Sequence, residues 1–134
     1  MNLDSPSNFL DTNILVYAFD PTDHVKHVIA KQLVKRITTG EETIAISNQI
    51  LGEFSSVLLG KNIINRTIAR RFIQEIKHIP SWQILLYTPN TIDVALECVE
   101  KPDDFWDCII DQTMLENGIT KIYTKKRFTQ NNPL

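Results

Sequence analysis

Ser7-Asn8-Phe9-Leu10-Asp11-Thr12-Asn13-Ile14-Leu15-Val16-Tyr17-Ala18 is an apolar run broken once, by three polar residues. Ser7 to Leu10, followed by Ile14 to Ala18, reads as a short buried strand that passes through Asp11-Thr12-Asn13 into a turn or a helix start. Asp11 therefore stands at the carboxyl end of a strand.

The chain downstream repeats this alternation. After Pro21, Thr22 or Asp23 can cap a helix whose apolar positions Val25, Val28, Ile29, Leu33 and Ile37 follow helical spacing until Gly40. Thr43 to Ile46 reads as a second strand, and Ser47-Asn48 offers a cap for a helix with Ile50, Leu51, Phe54, Val57 and Leu58, ended by Gly60. Asn65 starts another, with Ile68, Phe72, Ile73 and Ile76 on one face, until Pro80; Trp82 to Tyr87 is a third strand. Asn90 or Thr91 caps a helix with Ile92, Ala95, Leu96 and Val99 inward, closed by Pro102. Asp103 or Asp104 opens the next, which runs to Gly118, and Ile119 to Thr124 is the last strand. Strands separated by helices require a parallel sheet covered by helices, so a three-layer α/β/α domain with a short, mostly parallel sheet is expected.

Bulk properties agree. At 134 residues and 43% hydrophobic content the chain can bury one continuous core, and a single domain over residues 1–134 is expected. The N-terminal residues lack a basic start with a long apolar run, and no window holds the roughly 18 apolar residues of a membrane span, so a cytoplasmic protein is expected. Cys98 and Cys108 lack zinc-site spacing and read as buried free thiols. A net charge of −2 means that any contact with a phosphate backbone must come from local basic clusters or from cations held by carboxylates.

In an open parallel sheet, ligands gather outside the carboxyl ends of the strands. Three acids collect there: Asp11 after the first strand, Glu53 within two turns of the second strand's end, and Asp107 at the start of the helix before the last strand. Converging carboxylates repel one another unless cations or shared protons offset the repulsion, and oxygen-only ligands favour Mg²⁺ or Mn²⁺. Two such ions about 4 Å apart can activate a water and stabilise the leaving oxygen of a phosphodiester. Each acid also has a plainer reading. Asp11 can be a helix cap, Asp107 a partner of the helix dipole, and Glu53, mid-helix between Leu51 and Phe54, part of a solvated face. His24 and His27 share a helical face without a third ligand and read as surface residues, and His78 has no evident partner. Arg66, Arg70, Arg71 and Lys77, and separately Lys121, Lys125, Lys126 and Arg127, could track an RNA backbone or simply solvate helix and strand ends.

Taken together, Phe9-Leu10-Asp11-Thr12-Asn13, Ser47-Asn48-Gln49-Ile50-Leu51-Gly52-Glu53-Phe54 and Phe105-Trp106-Asp107 resemble PIN domains, in particular VapC-like toxins of type II toxin–antitoxin pairs, and the likeness covers nearly the whole chain. The resemblance implies Asp11, Glu53 and Asp107 as metal ligands, with Thr12, Asn13 and Thr124 supporting them, since a hydroxyl or an amide can orient a carboxylate and hold a water. It also implies a cognate antitoxin and a homodimer, neither of which residue spacing shows. Two residues beyond Thr124 the family pattern often places a fourth acid, where this chain has Lys126. An ammonium there opposes a second cation and attracts phosphate, which makes a one-metal site plausible. Asp111, one helical turn after Asp107, could supply the missing oxygen, orient its neighbour or simply face solvent.

The resulting expectation is an Mg²⁺- or Mn²⁺-dependent endoribonuclease. Asp11 and Asp107 bind the metal, Glu53 completes the shell or orients water, and the activated water attacks phosphorus without a covalent intermediate. The alternative is a PIN-like RNA-binding or regulatory module with weakened or lost catalysis, suggested by Lys126. A phosphoacceptor switch would need an acidic pair beside Asp11, which the sequence does not provide.

Overall fold

A computed structural model describes residues 8–124. The elements in order are β1 (Asn8–Leu10), α1 (Thr12–Phe19), α2 (His24–Thr38), β2 (Ile44–Ser47), α3 (Asn48–Gly60), α4 (Arg66–Ile76), β3 (Trp82–Leu85), α5 (Pro89–Ala95), a 3-10 turn (Pro102–Asp104), α6 (Phe105–Glu116) and β4 (Lys121–Tyr123). All pairings are parallel and the strand order is β3-β2-β1-β4, with Asn8 opposite Ile44 on one side and Lys121 on the other.

This order fixes the layers. The chain steps from β1 to β2 to β3 in one direction, then crosses back to place β4 on the far side of β1. With right-handed crossovers, the helices of the first two connections cover one face and those of the last cover the other. Consistent with this, α1 packs on α2 and α3, α3 packs on α4, and α5 packs on α6. Every residue of β2 is buried, as in a strand sandwiched between helices. Under the first helical layer, Phe19, Phe54, Phe72 and Trp82 form a chain of tilted and edge-on rings with centroids 5.1 to 5.8 Å apart. A smaller cluster of Ala95, Cys108 and Ile109 joins α5 to α6.

Helix starts follow local chemistry. The side chains of Asp23, Ser47 and Asn65 accept the backbone N–H groups of Lys26, Ile50 and Ile68. At α5 the cap is Thr88, not Asn90 or Thr91, because Pro89 occupies the first helical position and Thr91 closes a reciprocal pair of bonds with Thr88. Several positions expected to face inward lie outside: Val25 and Val28 on α2, Ile68 on α4, and Leu96, which follows a helix that already ends at Ala95. Of the two thiols, Cys108 is buried as expected, whereas Cys98, beyond the end of α5, is exposed. Among the described residues, no helix is long and apolar enough to cross a membrane.

Candidate active site

The carboxyl end of β1 runs straight into α1 through Asp11. Its N–H extends the β1–β4 ladder to the Tyr123 carbonyl (3.2 Å), while its side-chain Oδ1 accepts the Thr12 N–H (2.7 Å). Asp11 thus caps α1 and, from the same position, faces an open cleft of about 700 Å³. The cap reading holds for this residue, and the same position puts it in the cleft lining.

Three elements line the cleft. The start of α1 contributes Asp11, Thr12 and Asn13. One face of α3 contributes Gln49, Gly52, Glu53, Ser56 and Val57 at helical spacing, and the first turns of α6 contribute Trp106, Asp107 and Ile110. Asn48 and Tyr87 close the rim, tied together by the Tyr87 N–H donating to Asn48 Oδ1 at 3.0 Å. The three acids read from the sequence therefore border one space.

Glu53 is half-buried and held at both oxygens. The Thr12 hydroxyl donates to Oε1 at 2.7 Å and the Gln49 amide to Oε2 at 3.2 Å, so Glu53 is not part of a solvated face. Gln49 also donates to the Trp106 carbonyl at 3.3 Å, which ties α3 to the start of α6. Its own Oε1 is buried without a partner among the described residues. Asp11 is pushed above the ordinary carboxylate value by burial and by the charges of Glu53 and Asp107, against the pull of the Thr12 N–H.

Do these groups suit a divalent cation? The donors are all oxygen, their charges act on one another, and one buried amide oxygen lacks a partner, which is the chemistry a hard cation takes. Among the described residues, however, no three His, Cys, Asp or Glu side chains converge closely enough to enclose an ion. Asp11 and Asp107 are the cleft carboxylates that could offer oxygens to such an ion, while Glu53 is engaged by Thr12 and Gln49.

Other expected residues stand elsewhere. Asp111 is exposed on α6 outside the cleft lining; partial burial and then the charge of Asp107, one turn earlier, raise its carboxyl. Thr124, just after β4, is half-buried and also outside the lining. Lys125, Lys126 and Arg127 lie beyond the described residues. Arg66, Arg70, Arg71 and Lys77 are exposed on or beside α4, and Lys121 is exposed on β4. His27 places Nδ1 2.8 Å from the Tyr17 carbonyl, a structural bond. The cleft residues that carried no sequence signal of their own are Gln49, Ser56 and Tyr87; for Gln49 the available clue was its position one turn before Glu53.

Comparison with known proteins gives a consistent picture. The PIN domain family model matches residues 9–131. Among solved structures, the fold is similar to that of Mycobacterium tuberculosis VapC20, a toxin described as cleaving the sarcin–ricin loop. The TM-score is 0.68 at 22% identity, covering 88% of each chain. No curated protein sequence matches.

Proposed function

The chain belongs to the PIN-domain family, and from that premise we propose that it is a metal-dependent endoribonuclease, the toxin half of a toxin–antitoxin pair. The observation that carries the proposal is that Asp11, Glu53 and Asp107, from three separate elements, all line one open cleft.

In this reading Asp11 and Asp107 would hold Mg²⁺ or Mn²⁺. The bound cation would offset the charge of the acids and the phosphate and acidify a water for attack on phosphorus. Thr12 and Gln49 keep the Glu53 carboxylate turned toward the cleft, where it orients the attacking water and accepts its proton. Asn13, exposed at the cleft edge, offers an amide to a phosphate oxygen. Lys125, Lys126 and Arg127 would supply positive charge for the RNA backbone. A cognate antitoxin, a homodimer and a cytoplasmic location are part of the proposal by family likeness.

The test is cleavage of a single-stranded RNA and of a stem–loop RNA, the latter chosen because VapC20 is described as acting on one loop of this kind. Cleavage should require Mg²⁺ or Mn²⁺ and stop on chelation. Asp11→Asn and Asp107→Asn should each lower it at least about a hundredfold without unfolding the chain. Cation-independent cleavage, or full activity in Asp11→Asn, rejects the assignment. A weakened or inactive RNA-binding module is the second reading, favoured by Lys126 in place of an acid and by the incomplete convergence of the three carboxylates. It predicts RNA binding without cleavage in the same assay.

A further inference from the structure

Trp106 is the large aromatic residue that the cleft leaves open: 48% of its surface is exposed, whereas Trp82 is 3% exposed in the core. It immediately precedes Asp107 on α6, and its backbone carbonyl is fixed by Gln49. Its ring is braced on two sides, edge-on against Phe105 (centroids 4.9 Å apart, interplanar angle 77°) and against Tyr87 (6.1 Å, 80°). Tyr87 in turn lines the same cleft and is anchored through its N–H to Asn48. The result is an indole held in place at the mouth of an acidic cleft, with much of its surface facing water.

An aromatic face held in place beside a cleft offers a planar ligand a surface to stack on. From this geometry we infer that Trp106, with Tyr87 behind it, is a stacking site for an unpaired nucleobase of the RNA whose phosphate lies at Asp11 and Asp107. The inference rests on the ribonuclease reading for the identity of the ligand. A nucleobase is the occupant the position favours, because a phosphodiester held at the carboxylates brings its own bases to the neighbouring residue. Stacking also needs no positive charge, which the described part of the cleft lining lacks. It would restrict the substrate to single-stranded or looped RNA, since a base inside a duplex has no free face.

The two tryptophans make the site directly readable. Trp82 is enclosed, with its indole N–H bonded to Thr38, so changes in indole emission on adding RNA report Trp106. The titration uses a short single-stranded RNA and its abasic counterpart, with Ca²⁺ present as a cation of the same charge. Quenching should saturate with the RNA and require about tenfold more of the abasic strand. Trp106→Leu should abolish the quenching and raise KM for cleavage about tenfold with kcat little changed, while Trp106→Phe, which keeps an aromatic face, restores most of the affinity.

Coincident curves for the RNA and the abasic strand overturn the inference, and this comparison needs only the unmodified chain. So does Trp106→Leu binding RNA as tightly as the parent. If the ring instead seats an apolar side chain of a protein partner, the two titrations coincide and the inference falls. Base-dependent quenching without cleavage in Mg²⁺ leaves the stacking site standing and removes the ribonuclease reading; cleavage without base-dependent quenching does the opposite.

Discussion

Thr12 illustrates how much a single side chain settles here. Its backbone N–H caps onto Asp11 while its buried hydroxyl reaches 41 residues along the chain to Glu53, so one residue orients two of the three acids. Replacing Thr12 with Val keeps the shape and the backbone bond but leaves Glu53 with the Gln49 amide alone. Initial-rate measurements should show activity reduced about 10- to 100-fold with little loss of melting temperature. Asp11 gives a second prediction at this scale. Its folded-state value lies above the ordinary one, so its contribution to stability is present below the ordinary carboxylate range and is lost as pH climbs through the raised value. In chelator, Asp11→Asn, which can still cap α1, should melt above the parent at about pH 7, with the gap closing toward about pH 3. Adding Mg²⁺ should raise the melting temperature of the parent more than that of the variant. The three acids and Thr12 were legible because they follow strand ends and helix starts at positions a motif can mark. Gln49 and Tyr87 were not, because their roles come from contacts across α3, α6 and the rim that spacing does not encode.

Among the elements, α3 contributes most to the cleft lining. One of its faces supplies Glu53 and Gln49 to the cleft, and the adjoining face buries Ile50, Phe54 and Leu58. The helix is started by the Ser47 side chain, so Ser47→Ala should cost about 1 kcal/mol in chemical denaturation while leaving the cleft residues in register. The caps of α2, α3 and α4 were readable because Asp, Ser and Asn advertise the first turn. The cap of α5 was displaced by a proline whose missing N–H suits the first helical position. Helical spacing misplaced Val25, Val28, Ile68 and Leu96 for another reason. An apolar stripe marks which residues can face a core, but how far that core extends along the helix depends on neighbours distant in sequence.

For the molecule as a whole, the sheet order and the aromatic chain hold the site together. Phe54 touches the rings of both Phe19 and Phe72 and is fully buried one residue after Glu53. Phe54→Ala should destabilise the fold by about 3–5 kcal/mol, measured by denaturant unfolding, and lower activity through the lost population of folded chain. The layered α/β architecture was legible from the alternation of strands and helices, whereas the order β3-β2-β1-β4 was not, since nothing local states which edge the final strand will join. That final pairing has a consequence in time. β1 is synthesised well before β4, yet its Asn8 is flanked by Lys121, and Asp107 stands only a short way before that partner. A growing chain therefore carries Asp11 and Glu53 long before it has the third acid or the strand that closes the sheet, and domains with such distant pairings assemble late. The two sides of the cleft are thus made at different times, and a partner that recognises the whole cleft has nothing to bind until β4 has joined β1.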